Sequence, residues 1–198
     1  MFEESVKKYA EKGEFVEVYT NYDQTSRFDV GKIIACDSDY FIMSRIAPDI
    51  YFDGFMLERM DRILKINSET NYIKKTMRLL PHFNVELEKI GCIPGDLVAS
   101  LLSYAKDNNW LVGIELAKSD LVDAQGFVKN VTQTMCEVES VNDYGECDGC
   151  VDVALEDITE IFCCTRKKRI VECLYHMNHE DSRGFVDKQY GLNEFVQS

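Results

Sequence analysis

The chain has 198 residues, of which 45% are hydrophobic and 29% charged, a composition that excludes global disorder and predicts one large or two small globular domains. Twenty-two basic against 35 acidic side chains give a net charge of −13, which opposes generic binding to a nucleic-acid backbone, so we expect no DNA partner. No apolar run approaches the roughly 18 residues of a membrane helix, and the first residues lack a secretory signal. We therefore expect a cytoplasmic protein without a membrane partner, in which the eight cysteines are reduced thiols.

The chain resembles itself at a fixed spacing. Pairing residues 3–66 with residues 98–161 gives eight identities in 64 positions. The identical pairs are Ser5/Ser100, Tyr9/Tyr104, Ala10/Ala105, Gly31/Gly126, Asp53/Asp148, Gly54/Gly149, Ile63/Ile158 and Ile66/Ile161. Conservative apolar exchanges, such as Ile33 with Val128, fall in the same strand-like segments. This pattern predicts a duplicated unit of about 80 residues, with chance similarity as the alternative.

Each unit opens with a helical pattern followed by five short strand-like segments. In the first unit the helix covers 2–13, and the strands cover 15–22, 30–37, 40–48, 55–60 and 73–80. In the second unit the helix covers 95–109, where Asp96 is placed to cap its start, and the strands cover 110–117, 126–132, 135–141, 150–155 and 169–175.

No helical segment separates the strands within a unit, which favours small barrels over a parallel α/β sheet. We therefore predict a mainly β (α+β) chain of two tandem five-stranded barrels, each preceded by a short helix. The first unit covers 1–83, the second covers 84–177, and 178–198 form a C-terminal tail.

Residues 31–45 resemble the first motif of the Sm-like superfamily, of the LSm and Hfq type. Gly31 opens the segment, Asp37 follows at +6 and Tyr40 at +9. The family needs glycine where a bent strand brings backbones close, and aspartate where its side chain accepts turn amides. The second unit keeps Gly126 but has Thr132 in place of the aspartate. The resemblance implies Sm-like barrels, with other SH3-like barrels as the structural alternative.

Sm-like proteins typically bind single-stranded RNA, so the resemblance implies a candidate site in the first unit. Tyr40 would stack on a base, and Arg59 or Arg62 would contact phosphate. The alternative is that these three side chains are ordinary barrel surface. Residues 15–80 carry 9 basic and 10 acidic side chains, a net charge of −1, whereas residues 110–175 carry 6 and 13, a net charge of −7. Only the first unit is therefore a candidate RNA site.

Cys147 and Cys150 have the spacing of half a zinc site, for which Cys173, His176 and His179 could supply further ligands. The alternative interpretation is a hairpin, because Asp148 and Gly149 between them form a strong turn signal. We favour the hairpin, with the two cysteines as cross-strand neighbours, and expect neither a metal nor another cofactor.

The sequence contains no recognisable catalytic constellation, and no motif ties His82 or His176 to a nucleophile. We therefore predict a non-enzymatic binding or assembly protein. One hypothesis is an RNA-associated regulatory scaffold, and another is a protein-interaction or oligomerisation module without RNA binding. A zinc- or thiol-dependent protein is the third. We expect the two barrels to pair within a monomer or dimer, with a trimeric ring of six barrels as the alternative.

Overall fold

The computed structural model describes residues 2–88, 90, 95–117 and 122–179. Four α-helices and ten β-strands lie in these residues. The helices are α1 (Glu3–Lys12), α2 (Asn71–Leu79), α3 (Leu97–Asp107) and α4 (Arg166–Asn178). The strands are β1 (Phe15–Tyr19), β2 (Asp29–Cys36), β3 (Tyr40–Ile46), β4 (Phe52–Arg59), β5 (Lys65–Ser68), β6 (Leu111–Leu116), β7 (Val122–Val131), β8 (Met135–Val141), β9 (Cys147–Ala154) and β10 (Ile158–Cys163).

The ten strands form one continuous antiparallel sheet in the order β5-β1-β2-β3-β4-β10-β6-β7-β8-β9. The first half of the chain (α1, β1–β5, α2) supplies five neighbouring strands, and the second half (α3, β6–β10, α4) supplies the other five. The two sets meet where β4 pairs with β10, which we call the junction. The mainly β class is confirmed. Neither half closes on itself within the described residues, so the two tandem barrels and their boundaries remain predictions.

The two halves share details of strand pairing. The β2–β3 register shifts between Ile33 and Ala35, and the β7–β8 register shifts between Val128 and Asn130, 95 positions later. Likewise, the β3–β4 register shifts after Ser44, and the β8–β9 register shifts after Glu139. A register shift adds a residue to one strand and bends it, so both halves bend at matching positions.

The cores of the two halves meet at the junction. Helix α1 covers a first-half cluster that includes Phe41, Met43 and Met56. Ile42 and Leu57, from the same strands, point the other way and pack with α3 and the second-half core. Strands β3 and β4 are therefore buried on both faces, which explains their uninterrupted apolar runs.

The predicted fifth strands, 73–80 and 169–175, are wrong, because these segments lie in or at the end of the helices α2 and α4. Threonine caps begin both helices: the Thr70 side chain accepts from the Ile73 amide, and the Thr165 side chain accepts from the Lys168 amide. The fifth strands are instead β5, which begins two residues after the 3-10 turn Met60–Arg62, and β10, which directly follows the 3-10 turn Leu155–Asp157.

The predicted hairpin turn at Asp148 and Gly149 is also wrong, because both residues lie inside β9. The chain turns earlier, where the Asn142 amide donates to the Glu146 carbonyl. Gly149 has a φ of 79° at an irregular point of the strand, so this glycine serves a bulge and not a turn. Cys147 and Cys150 are consequently on one strand and do not face each other across a hairpin.

No helix among the described residues is long and apolar enough to cross a membrane. Most of the predicted C-terminal tail, from residue 180 onward, lies outside the described residues.

Candidate functional site

The turn between β2 and β3 is built as the sequence predicts. The Asp37 carboxylate accepts hydrogen bonds from the Asp39 amide at 2.8 Å and the Tyr40 amide at 2.7 Å. A Cβ atom on Gly31 would lie 2.0 Å from the Ser44 carbonyl oxygen, so only glycine lets these backbones approach. Both physical reasons for the motif are present at the predicted residues.

In the second half, a threonine hydroxyl accepts hydrogen bonds from the amides of the corresponding turn between β7 and β8. The Thr132 Oγ1 atom accepts from the Met135 amide at 3.0 Å and from the Thr134 amide at 3.4 Å. A Cβ on Gly126 would lie 1.8 Å from the Glu139 carbonyl oxygen. Threonine therefore substitutes for aspartate in the turn, and the close backbone approach is retained.

We expect Asp37→Ala to lower the free energy of unfolding by about 1 kcal/mol, because two turn amides lose their acceptor. Asp39→Ala is the matched control, since within the described part of the chain the Asp39 side chain accepts from the exposed Ser38 hydroxyl and from no turn amide. Its effect should be about 0.5 kcal/mol or less. Urea unfolding of both variants measures the difference, and equal losses would contradict the role assigned to Asp37.

The structure brings two of the three candidate RNA-binding residues together. Tyr40 and Arg59 are direct cross-strand neighbours in the β3–β4 pair, and Arg62 follows in the 3-10 turn after β4. The half-buried Tyr40 donates its hydroxyl hydrogen to the Ile158 carbonyl oxygen at 2.7 Å, across the junction. Burial also raises the pKa of Tyr40. The ring thus serves as a contact between the two halves.

Both candidate arginines face carboxylates. Arg59 makes a bidentate contact with the Asp61 carboxylate. The Nε atom donates to Oδ1 at 3.0 Å, and the Nη2 atom donates to Oδ2 at 2.5 Å. The Nε atom of Arg62 lies 3.5 Å from the Oε1 atom of Glu58. A phosphate would have to compete with the Asp61 carboxylate for Arg59, the arginine that lies opposite Tyr40.

Sequence reasoning missed a row of glutamates at the junction. Glu160 on β10 pairs with Glu58 on β4 on one side and with Glu115 on β6 on the other. Glu58 is fully buried, and its Oε2 atom has no hydrogen-bond partner within the part of the chain that the structure describes. No local signal marks these residues, because strand pairing over about a hundred residues creates the row.

Burial controls the charge of this row. It raises the pKa of Glu58 to about 8, although Arg62 acts in the opposite direction. It also raises the pKa of Glu160 well above its usual range, and the neighbouring Glu58 adds to the effect. Two adjacent buried carboxyls that hold their protons avoid the cost of burying like charges. The raised pKa values of Glu58 and Glu160 therefore favour the protonated, uncharged form of both carboxyl groups at the centre of the sheet.

A cavity of about 350 Å³ opens beside β7 and the β8–β9 turn. Its lining includes Asp123, Asp143 and Asp148, with Gln125 and a single lysine, Lys167. Three carboxylates against one ammonium group make this opening suited to a cationic ligand and unsuited to phosphate.

The candidate zinc residues do not assemble a metal site in the described ranges, where no three His, Cys, Asp or Glu side chains are grouped to hold an ion. Cys147 and Cys150 are both exposed on β9. The Sγ atom of Cys147 lies 3.7 Å from Nε2 of His179, one of the further ligands that the zinc interpretation offered.

No family model, no curated protein and no solved structure matches this chain. The resemblance to the Sm-like superfamily therefore depends on the chain's own residues: the glycine and acceptor positions of the β2–β3 turn and the order of the strands.

Proposed function

We propose that the chain is a tandem pair of Sm-like units that acts as a non-catalytic protein-interaction module. The observation that carries this proposal is the antiparallel pairing of β4 with β10, from Phe55 opposite Cys163 to Glu58 opposite Glu160. Sm-like units associate by pairing the edge strand of one with the edge strand of the next. One such contact is made within this chain, which supports an internal pair of units.

The outer edges of the sheet are β5 and β9, and their side chains differ from those at the junction. At the junction, Phe55, Leu57, Ile161 and Cys163 are completely buried. The residues 95 positions away on the outer edges are Cys150, Asp152, Ile66 and Ser68. Asp152 and Ser68 thus replace two of the four apolar side chains of the junction, which disfavours further pairing between copies and supports a monomer over a closed ring.

Among the described residues β9 pairs with β8 alone, so this edge offers backbone groups to a different partner. An extended peptide can add a strand to such an edge through main-chain hydrogen bonds. Exposed Asp148 and Asp152 lie on β9, and the adjoining cavity is lined by carboxylates. The partner that fits this edge is an extended segment rich in lysine or arginine.

The charges that argue for a basic peptide argue against RNA. Arg59 is directed at the Asp61 carboxylate, and Tyr40 contributes its hydroxyl to the junction. The second half has a net charge of −7 over 110–175. An RNA-associated scaffold is the competing function, favoured by the adjacency of Tyr40 and Arg59.

Two measurements separate these functions. Light scattering at physiological salt should give a mass near the 22.8 kDa of one chain, and the protein should show no affinity for a labelled single-stranded oligo-uridine. A mass near three times 22.8 kDa together with RNA binding that is lost in the Tyr40→Ala, Arg59→Ala variant would overturn the proposal in favour of an RNA-binding ring.

The edge itself is tested with a peptide of alternating valine and lysine. We expect it to slow hydrogen exchange of the β9 amides and to bind several-fold more weakly to Asp152→Lys. Glu11→Lys makes the same change in net charge on the exposed surface of α1, far along the chain from β9, and should leave binding nearly unchanged. Equal weakening by both variants would reduce the interaction to general charge attraction and contradict docking at β9.

A further inference from the structure

An exposed cysteine and a histidine from distant parts of the chain meet beside α4. Cys147 is the first residue of β9, and His179 directly follows the last residue of α4. Helix α4 packs on this part of the sheet through Val171, which joins Phe127 and Val141 in a small core. This packing holds the Nε2 atom of His179 3.7 Å from the Sγ atom of Cys147.

The second ring nitrogen of His179 determines where the proton sits. Its Nδ1 atom lies 2.8 Å from the Tyr175 carbonyl oxygen. A carbonyl oxygen only accepts hydrogen bonds, so Nδ1 carries the hydrogen, and the Nε2 of the neutral ring is a free acceptor that faces the thiol. The imidazole also stacks on the Tyr175 ring, with 4.2 Å between centroids. The histidine is thus oriented as a base toward Cys147.

This arrangement has the parts of an activated nucleophile: a thiol, a base within reach and a third group that orients the base. We propose that Cys147 and His179 form a reactive-thiol site whose substrate is a hydroperoxide. The Cys147 proton passes to Nε2 of His179, and the thiolate attacks the terminal peroxide oxygen. The sulfur–oxygen bond forms as the oxygen–oxygen bond breaks. The leaving oxyanion takes the proton back from the imidazolium, which gives a sulfenic acid and water or an alcohol.

The other groups around the thiol are compatible with this step. Burial raises the pKa of Tyr175 to about 12, and Glu139 and Cys147 act in the same direction. The Tyr175 phenol is therefore a hydrogen-bond donor beside both groups, at 3.4 Å from Glu139, and not a base. Glu139 is paired with Lys129 at 3.1 Å. The acidic neighbours Glu146 and Asp148 are exposed, so water screens their effect on the thiolate. The base that faces the sulfur is therefore His179.

Cys150 is an internal reference on the same strand. It is exposed like Cys147, and no hydrogen bond to its sulfur is present among the residues that the structure describes. A difference in reactivity between the two thiols thus measures the contribution of the groups around Cys147 and not the exposure of β9, and the His179→Gln variant separates the share of His179 from that of Tyr175. A general base typically contributes 10²-fold or more when it acts fully.

The test is site-resolved mass spectrometry of the full chain at pH 7. With iodoacetamide we expect Cys147 to react at least about tenfold faster than Cys150, and His179→Gln to lower the Cys147 rate to that of Cys150. With hydrogen peroxide and dimedone, the sulfenic acid adduct should form on Cys147 and be lost in His179→Gln.

His176→Gln is the matched control, because His176 lies one helical turn earlier on α4 and contacts the Phe127 ring. It should leave both reactions of Cys147 unchanged. Equal alkylation of the two cysteines in the unmodified chain, or a His179→Gln variant as reactive as the parent, would overturn the dyad. Fast alkylation without a dimedone adduct would overturn the hydroperoxide as substrate. These readouts need no strand partner, so they succeed or fail independently of the proposed interaction at β9.

Discussion

Gly54→Ala is expected to lower the free energy of unfolding by about 3–5 kcal/mol. Gly54 has a φ of 74°, where a side chain adds strain. A Cβ atom there would lie 2.2 Å from the Cys163 carbonyl oxygen and 2.5 Å from the Cys164 carbonyl carbon. These are backbone atoms at the end of β10 and the residue after it, so the clash can be relieved only by separating the strands at the junction.

Gly149 provides a matched control for this prediction. It occupies the corresponding bulge of β9 with a φ of 79°, and a Cβ atom there meets no described atom within 4 Å beyond its two chain neighbours. Gly149→Ala should therefore cost only the backbone strain, about 1–2 kcal/mol.

Both variants can be followed by the fluorescence of Trp110, the single tryptophan, which stacks on Phe55 at the junction with 5.8 Å between ring centroids. Chemical denaturation gives the two free energies. Similar losses in the two variants would mean that β4 and β10 do not meet as described.

The stability of the folded chain should decrease as the pH rises from about 4.5 to about 8, through the titration of Glu58. Burial holds the proton on Glu58 in the folded chain up to a pKa of about 8, whereas the unfolded chain releases it near the ordinary value of 4.5. Within this window the folded state binds more protons, so each rise in pH favours unfolding. Glu160 has a raised pKa for the same reason and adds to the trend.

Glu58→Gln removes this titration while keeping the shape of the side chain. At pH 7 we expect the variant to be more stable than the parent by up to about 3 kcal/mol, and at pH 4.5 to be nearly equal to it. Urea unfolding at intervals between these values measures the difference. Glu4→Gln, on the exposed surface of α1, should show no such pH-dependent gain. A Glu58→Gln variant that is less stable at pH 7 would indicate that Glu58 is ionised and stabilises the junction through Arg62.

Short-range features could be predicted because neighbouring residues produce them. Asp96 accepts from the Val98 and Ala99 amides and begins α3, as its position before an apolar helix indicates. Asp37 and Gly31 also behave as predicted, since a turn acceptor and a close backbone approach depend on a few residues. The apolar runs of β3 and β4 likewise marked strands, and the structure adds that both faces are covered.

The fifth strands could not be identified in the same way. Strand β5 contains only four residues, and its pairing with β1 makes it a strand, as when Glu17 lies opposite Asn67. The apolar spacing of 73–80 fits a helix, which Thr70 begins both by capping the Ile73 amide and by donating to the Glu17 carboxylate. The hairpin turn predicted at Asp148 and Gly149 was wrong for a related reason, because an Asp-Gly pair can form a bulge within a strand as readily as a turn between two strands.

By itself, the sequence determined the mainly β class, the strands before each 3-10 turn and the β2–β3 turn, since propensity, apolar spacing and local hydrogen bonds act over a few residues. Only the tertiary structure decided that β4 pairs with β10, that Glu58 and Glu160 share a buried row, and that Cys147 meets His179. These contacts join residues 32 to about a hundred positions apart. Their partners are selected by packing and register, for which a single sequence contains no local mark.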